Sequence, residues 1–304
     1  MSLTRQLVEA LRTRLGGSAP QPTPEPPPRI PDPPVRVFPK RHEGTPYARE
    51  AAKHTTALLG IGHVGTRYAT DVSLQFQAEL AVAHGAVAAE LPEDFAREHR
   101  LLPLKSRVTH HREFLLRPDL GRRLDTESLE RLKHEAKRNV DVQPILADGL
   151  SAIACMQSGM ALLEAFTAAC ERRGLSVGTP MCARYARVWL EDEIGETVGA
   201  KVSAILLGER PGLGTGDGLS SYMVYAPAIG KTDGDRNMMS NIHVRGTPPE
   251  VAGDRMAVLA RAMIDQKTSG VSLDLSHLVA ELGEAAARHH RAPQARVRLV
   301  EVDR

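Results

Sequence analysis

At 304 residues with 42% hydrophobic content, the chain is long enough for one sizeable core or two modest ones. Lys and Arg total 39 against 37 acidic residues, a formal charge of +2, so no strong electrostatic partner is implied and nucleic acid is not suggested. The sequence shows no apolar run expected to span a bilayer and no secretory signal, and Cys155, Cys170 and Cys182 form no C-x-x-C spacing. Three such thiols fit a reducing cytosol, argue against structural zinc and are expected to be buried or inert.

The first predicted element is an amphipathic helix over residues 1–17. Leu3, Leu7, Leu11 and Leu15 recur every four residues beside Val8, with Arg5, Glu9, Arg12 and Arg14 on other faces. Ser2 opens it and Gly16 and Gly17 stop it. A helix of that length is not stable alone, so it reads either as a docking or targeting peptide or as a helix packed on its own subunit. Eleven of the 21 prolines then fall between Pro20 and Pro46, which predicts a stiff, extended linker over 18–46 within a disordered tail.

Residues 47–139 read as a small helical domain. Apolar positions in LQFQAELAVAHGAVAAEL, 74–91, recur at helical intervals. A second helix covers 126–139. Thr126 and Glu130 miss the capping-box spacing by one residue, which leaves its start open, and its Glu and Lys face reads as solvated.

From 140 to 274 the pattern changes to strand, turn and helix. VQPILA at 142–147 is an apolar strand, DGLS at 148–151 a tight turn, and 151–174 a long helix ended by Gly174. Further strands are predicted at 184–190, 201–208 and 222–227, with a helix over 249–266. This alternation predicts an α/β fold, a Rossmann-like, open and mainly parallel sheet whose ligand sites lie beyond the carboxyl ends of its strands. Asp148, Glu209 and the loop 212–218 fall there. Residues 275–304 form an extension with a predicted helix at 278–290 and a strand at 297–302.

The loop carries glycines at 212, 214, 216 and 218, yet neither register places a glycine at the sixth position of the dinucleotide fingerprint, and no GxxxxGK[ST] phosphate loop exists. A surface turn needing positive φ is the alternative for such a loop. Glu191, Asp192, Glu193 and Glu196 have the chemistry of a metal or acid/base cluster, but they read better as acids at a helix N-terminus.

Several longer stretches stand in one order between about residues 60 and 270: RPDLGRRL (117–124), DVQPILADGLS (141–151), VGTPMCARYARVWLEDEIGETVGAKV (177–202), GERPGLG (208–214), SYMVYAP (221–227) and RNMMSNIHVRGTPPE (236–250). Together they resemble the small (light) subunit of ethanolamine ammonia-lyase. GHVGTRYAT at 62–70 resembles that family's GRAGxRxxT segment, with His63 in place of arginine.

The resemblance implies a subunit of an enzyme that converts ethanolamine to acetaldehyde and ammonia with adenosylcobalamin. Substrate then sits in a barrel of the large subunit, while the small subunit helps to hold the corrin and its nucleotide tail. On this reading the chain carries no catalytic residue and no metal ligand, and is inactive alone. Cofactor contacts carry over to Val188 of the R-V-x-x-x-D segment, Glu209 of GERPGLG, and Met238, where relatives such as the enterobacterial subunits have cysteine. Without the resemblance only Glu209 would be singled out; the alternatives are Val188 in a core strand, Glu209 paired with an arginine and Met238 as packing. The family context further implies a cytoplasmic location within a bacterial microcompartment, with residues 1–17 engaging shell or cargo. Asn241 to Gly246 comes within one residue of the D-x-H-x-x-G pattern that supplies a histidine to cobalt, but an amide orients an imidazole less strongly than a carboxylate does. A structural or nucleotide-contacting His243 is therefore expected.

Overall fold

The computed structural model describes Glu50 and residues 63–212, 216–244, 246–278 and 281–283. The expected helix at 1–17, the linker at 18–46 and the strand at 297–302 lie outside the described residues. A two-stranded hairpin, β1 (His63–Val64) and β2 (Arg67–Tyr68), leads into α1 (Thr70–Ala88) and the short α2 (Phe95–Glu98). There follow β3 (Leu102–Lys105), α3 (His111–Leu116), a 3₁₀ turn at Leu120–Arg122, and α4 (Thr126–Glu135). Asp125 caps α4 by accepting the Ser128 N–H at 2.7 Å, which settles the open start one residue before Thr126.

Next come β4 (Val142–Ala147), α5 (Ala152–Arg172), β5 (Met181–Arg184), α6 (Leu190–Val198) and β6 (Val202–Gly208). After these lie β7 (Leu219–Tyr225), β8 (Arg236–Ile242) and α7 (Pro249–Gln266). The six-stranded sheet has the order β3-β5-β4-β6-β7-β8; pairings from β3 to β6 are parallel, and those of β6 with β7 and β7 with β8 are antiparallel. The expected open, mainly parallel α/β sheet is therefore present, with an antiparallel edge.

Every residue of β4 and β6 is buried, as continuous apolar runs require when helices cover both faces. Alternate residues divide between two cores. Val142, Leu146, Ala204 and Leu206 join α5 and α7, while Ile145, Ala147, Ile205 and Leu207 join α4 and α6. Gly253 permits close approach of α7 to α5, since a Cβ there would stand 2.7 Å from the Phe166 nitrogen. By length and composition α5 could cross a membrane, contrary to the sequence expectation, but Leu162, Phe166, Ala169 and Cys170 are buried in the core. All three cysteines are buried, which pushes the thiols of Cys170 and Cys182 up to about 12.

Three local expectations change. Leu102–Lys105, in the stretch read as helical, is the edge strand of the large sheet. β8 was not foreseen. The strand expected over 184–190 stops at Arg184, because Tyr185 adopts φ +53° and the chain turns toward α6.

Asp148 explains that turn. β4 is followed by a helix on one face and β5 by a helix on the other, so a crevice opens between their carboxyl ends. The Asp148 carboxylate sits in it, 5% exposed, accepting N–H groups from Tyr185 (2.7 Å), Ala186 (3.1 Å) and Gly149 (2.8 Å). Burial raises its pKa from 3.8 to about 6, against the lowering effect of those three bonds.

Between those values the native state binds more protons than the unfolded chain, so this group's contribution to stability falls as pH rises through the window. Asp148→Asn removes that slope. The unfolding free energies of the two proteins, measured in urea from pH 4 to pH 6, should converge by on the order of 2–3 kcal/mol as pH rises; parallel pH profiles would overturn this role.

Candidate functional site

Residue parity along the last three strands sets the site. Tyr222 on β7 lies between Ile205 on β6 and Met238 on β8, and cross-strand neighbours point to the same face. That face also carries Glu209, four residues on from Ile205. Val188, half-buried, packs at the edge of the same core as Tyr222. The three residues singled out above therefore converge, from the β5–α6 turn, the end of β6 and the middle of β8, on the α6 side of the sheet.

Each has a particular environment. Val188 belongs to a turn rather than to the core strand expected of it. Glu209 forms no ion pair with Arg210; its Oε1 accepts the Tyr222 hydroxyl at 2.7 Å, and its N–H donates to the Gly218 carbonyl at 3.0 Å. Burial, together with the Glu209 carboxylate, pushes the Tyr222 phenol pKa upward, so it remains a donor at neutral pH. Met238 is 54% exposed, which opposes reading it as interior packing. Tyr222, unnoticed in the sequence, is thus the link between Glu209 and Met238.

The glycine-rich loop joins β6 to the antiparallel β7. A strand and not a helix N-terminus follows it, so no helix dipole faces the loop from that side. Gly208 is required here by close packing: a Cβ would fall 2.1 Å from the Ser151 carbonyl oxygen.

The acidic run is resolved by a residue that sequence reasoning passed over. Glu191 and Asp192 lie buried in the first turn of α6, where Arg236 from β8 meets them. Its Nη1 donates to Glu191 Oε1 and Asp192 Oδ1, both at 2.9 Å, and its Nη2 to Asp192 Oδ2 at 2.7 Å. Burial raises the pKa of Glu191 well above the usual carboxylate range, and that of Asp192 also rises. Glu193 accepts the Leu124 N–H at 2.6 Å, tying α6 to the segment before α4. These acids are structural partners, in keeping with a helix N-terminus.

Trp189 lies next to Val188. Its indole N–H donates to Asp233 at 2.7 Å, and the Arg122 guanidinium stands 4.2 Å from its ring centre. Trp189 and Arg122 border a pocket of about 240 Å³ that also reaches Asp119, Ile229 and Gly230. His243 is 1% exposed, and its Nε2 lies 2.8 Å from Asn241 Oδ1 within the same turn. That arrangement suits a structural histidine.

Arg236→Met leaves two buried carboxyl groups without their cation. The expected loss is about 3–5 kcal/mol of unfolding free energy, read by urea denaturation at pH 7. Adding Glu191→Gln and Asp192→Asn to the same chain should recover part of it; a single variant as stable as the parent would refute the dependence.

Comparison with known proteins places these residues in context. Residues 47–274 match the family model described as ethanolamine ammonia-lyase light chain (EutC). The chain is also 41% identical over 223 residues to the ethanolamine ammonia-lyase small subunit of Fusobacterium nucleatum subsp. nucleatum, an alignment taking in 73% of this chain and 76% of that one.

Proposed function

Because the chain belongs to the ethanolamine ammonia-lyase light-chain family, we propose that it is the small subunit of an adenosylcobalamin-dependent enzyme that releases ammonia from ethanolamine. A large catalytic subunit is its partner, and this chain supplies one wall of the cofactor site. The observation supporting this reading is that Val188, Glu209 and Met238, far apart in sequence, lie on the same side of the sheet.

The residues fit the edge of a corrin. Glu209 Oε2 accepts no hydrogen bond among the described residues, so it can receive an N–H from a side-chain amide of the macrocycle. Tyr222 fixes the rotation of that carboxylate through the other oxygen. Met238 supplies an exposed, adaptable apolar contact without requiring a thiol, and Val188 a half-buried one. When bound, adenosylcobalamin supplies homolytic cleavage of its cobalt–carbon bond. The work of this chain is to orient the group and exclude water from its edge.

Ammonia release from ethanolamine with adenosylcobalamin tests the assignment, using this chain, its large partner and the two together. Turnover is expected only in the mixture. Glu209→Ala in the complex should raise the adenosylcobalamin KM about tenfold with kcat changed less than about twofold, since a binding hydrogen bond is lost. A stable complex without turnover would redirect the assignment to another amine, and failure to form a complex would overturn it.

We extend the proposal to residues 1–17 as a docking helix for a bacterial microcompartment in the cytoplasm, on the strength of their leucine repeat and the proline-rich spacer. Deleting residues 1–45 should abolish co-sedimentation with shells while preserving turnover. Loss of turnover, or unchanged co-sedimentation, would rule against a purely targeting role.

A further inference from the structure

From Val72 to Ala89 the chain carries one acid, Glu79, and no lysine or arginine. Glu79 is itself buried and accepts the Gln75 amide N–H at 3.0 Å, so from Val72 onward the exposed side of α1 presents no carboxylate. One side of the helix is already covered: Val72, Ala83 and Ala86 are buried, and a Cβ on Gly216 would lie 3.7 Å from both Val82 and Ala86. The opposite side is equally apolar yet faces water, with Leu74 59% and Leu80 48% exposed beside Ala78 and Ala81. A helix apolar on both sides is ordinarily covered on both.

The same surface continues into the β1–β2 hairpin. Tyr68 packs edge-on against Phe76, ring centres 5.2 Å apart, and with Arg67, Leu74 and Gln77 it lines a cavity of about 590 Å³. Val64, Tyr68, Leu74 and Leu80 are four of the eleven exposed large apolar side chains among the described residues, so one hairpin and one helix concentrate more than a third of them. Arg67, at the cavity, forms no ion pair among the described residues. The helix also adjoins the proposed cofactor face. Ser151 donates to the Gly216 carbonyl at 2.8 Å in the loop that follows Glu209, and Glu90, just past α1, accepts the Tyr185 hydroxyl in the turn that carries Val188.

We propose that the outer face of α1, with the hairpin before it, is the docking surface for the large subunit, which lays an apolar segment along Leu74, Ala78 and Ala81 and sets a carboxylate against Arg67. The inference rests on the light-chain reading above. Depletion of charge marks the core of a protein interface, and the adjoining cofactor face is closed by the same partner. A second copy fits less well. Ala78, Ala81, Gly85 and Ala88 continue the line beyond Leu74, and small residues set against small residues bury little of the roughly 1,200 Å² or more that a stable pair needs.

The full chain and its large partner are mixed over a range of concentrations and followed by sedimentation velocity and by ammonia release. Ala81→Glu places a charge in the middle of the face. It should raise the large-subunit concentration for half-maximal association about a hundredfold, with kcat at saturating partner changed less than about twofold. Arg67→Glu should raise it about tenfold by like-charge repulsion. Hydroxyl-radical footprinting of the unaltered proteins needs no variant: oxidation of Leu74 and Leu80 should fall several-fold when the complex forms. Should Ala81→Glu fail to fold, the footprint and Arg67→Glu decide. Association of Ala81→Glu equal to the parent, or leucines left unshielded in the complex, overturns the surface while turnover by the unaltered mixture still upholds the subunit reading. A free chain that sediments as a dimer, and that Ala81→Glu converts to a monomer with large-subunit binding intact, gives the face to a second copy and overturns the assignment. An unaltered chain that never binds the large subunit refutes the subunit reading and this surface together.

Discussion

The placement of the site depends on one buried guanidinium. Arg236 comes from the last strand and is gripped by Glu191 and Asp192 at the start of α6, with side chains almost entirely removed from water. Such an arrangement offers little net stability over an apolar substitute of the same shape, because desolvation consumes the attraction. Its effect is positional. It brings β8 against the helix that follows the Val188 turn, and two residues farther along the same face stands Met238. Tyr222, paired across from Met238, then meets Glu209.

A second constraint is the reversal of strand direction after β6. Had the chain continued with a helix and another parallel strand, the glycine loop would have opened onto a helix N-terminus, the usual setting for a dinucleotide. Instead β7 runs back along β6 and β8 along β7. Residues at the end of β6 thereby acquire neighbours from the hairpin. The parallel half of the sheet has helices on both faces, whereas Met238, Ser240 and Asn241 on β8 remain exposed. That surface, with a carboxylate held by a phenol and a bare methionine, is the one proposed above to hold the cofactor. The crevice where an open parallel sheet would ordinarily bind its ligand is filled by Asp148 and its three backbone donors.

Much of the architecture was legible in the chain. VQPILA and VSAILLG announce buried strands by unbroken apolar runs, and Gly174 marks a helix end through its positive φ. β3 was hidden because LPLK is too short to show a period, and β8 because RNMMSNI mixes polar residues on both faces. The early end of β5 was hidden for a different reason: the carboxylate that turns the chain at Tyr185 lies 37 residues away. Of the site, Glu209 could be chosen for its charge at a strand end, while Val188 and Met238 stood out only through resemblance to a family. Arg236 and Tyr222 carried no signal, since their partners lie 44 and 45 residues away in one case and 13 in the other.

Local periodicity and the ordered motifs by themselves determined the α/β class, most element types and the family. Tertiary structure alone decided which side chains share a face and which acids are spent on an arginine. The reason is physical: the 2- and 3.6-residue repeats are properties of adjacent residues, whereas a face and a partner depend on strand order and crossovers, which bring together segments whose separation along the chain carries no record of their contact.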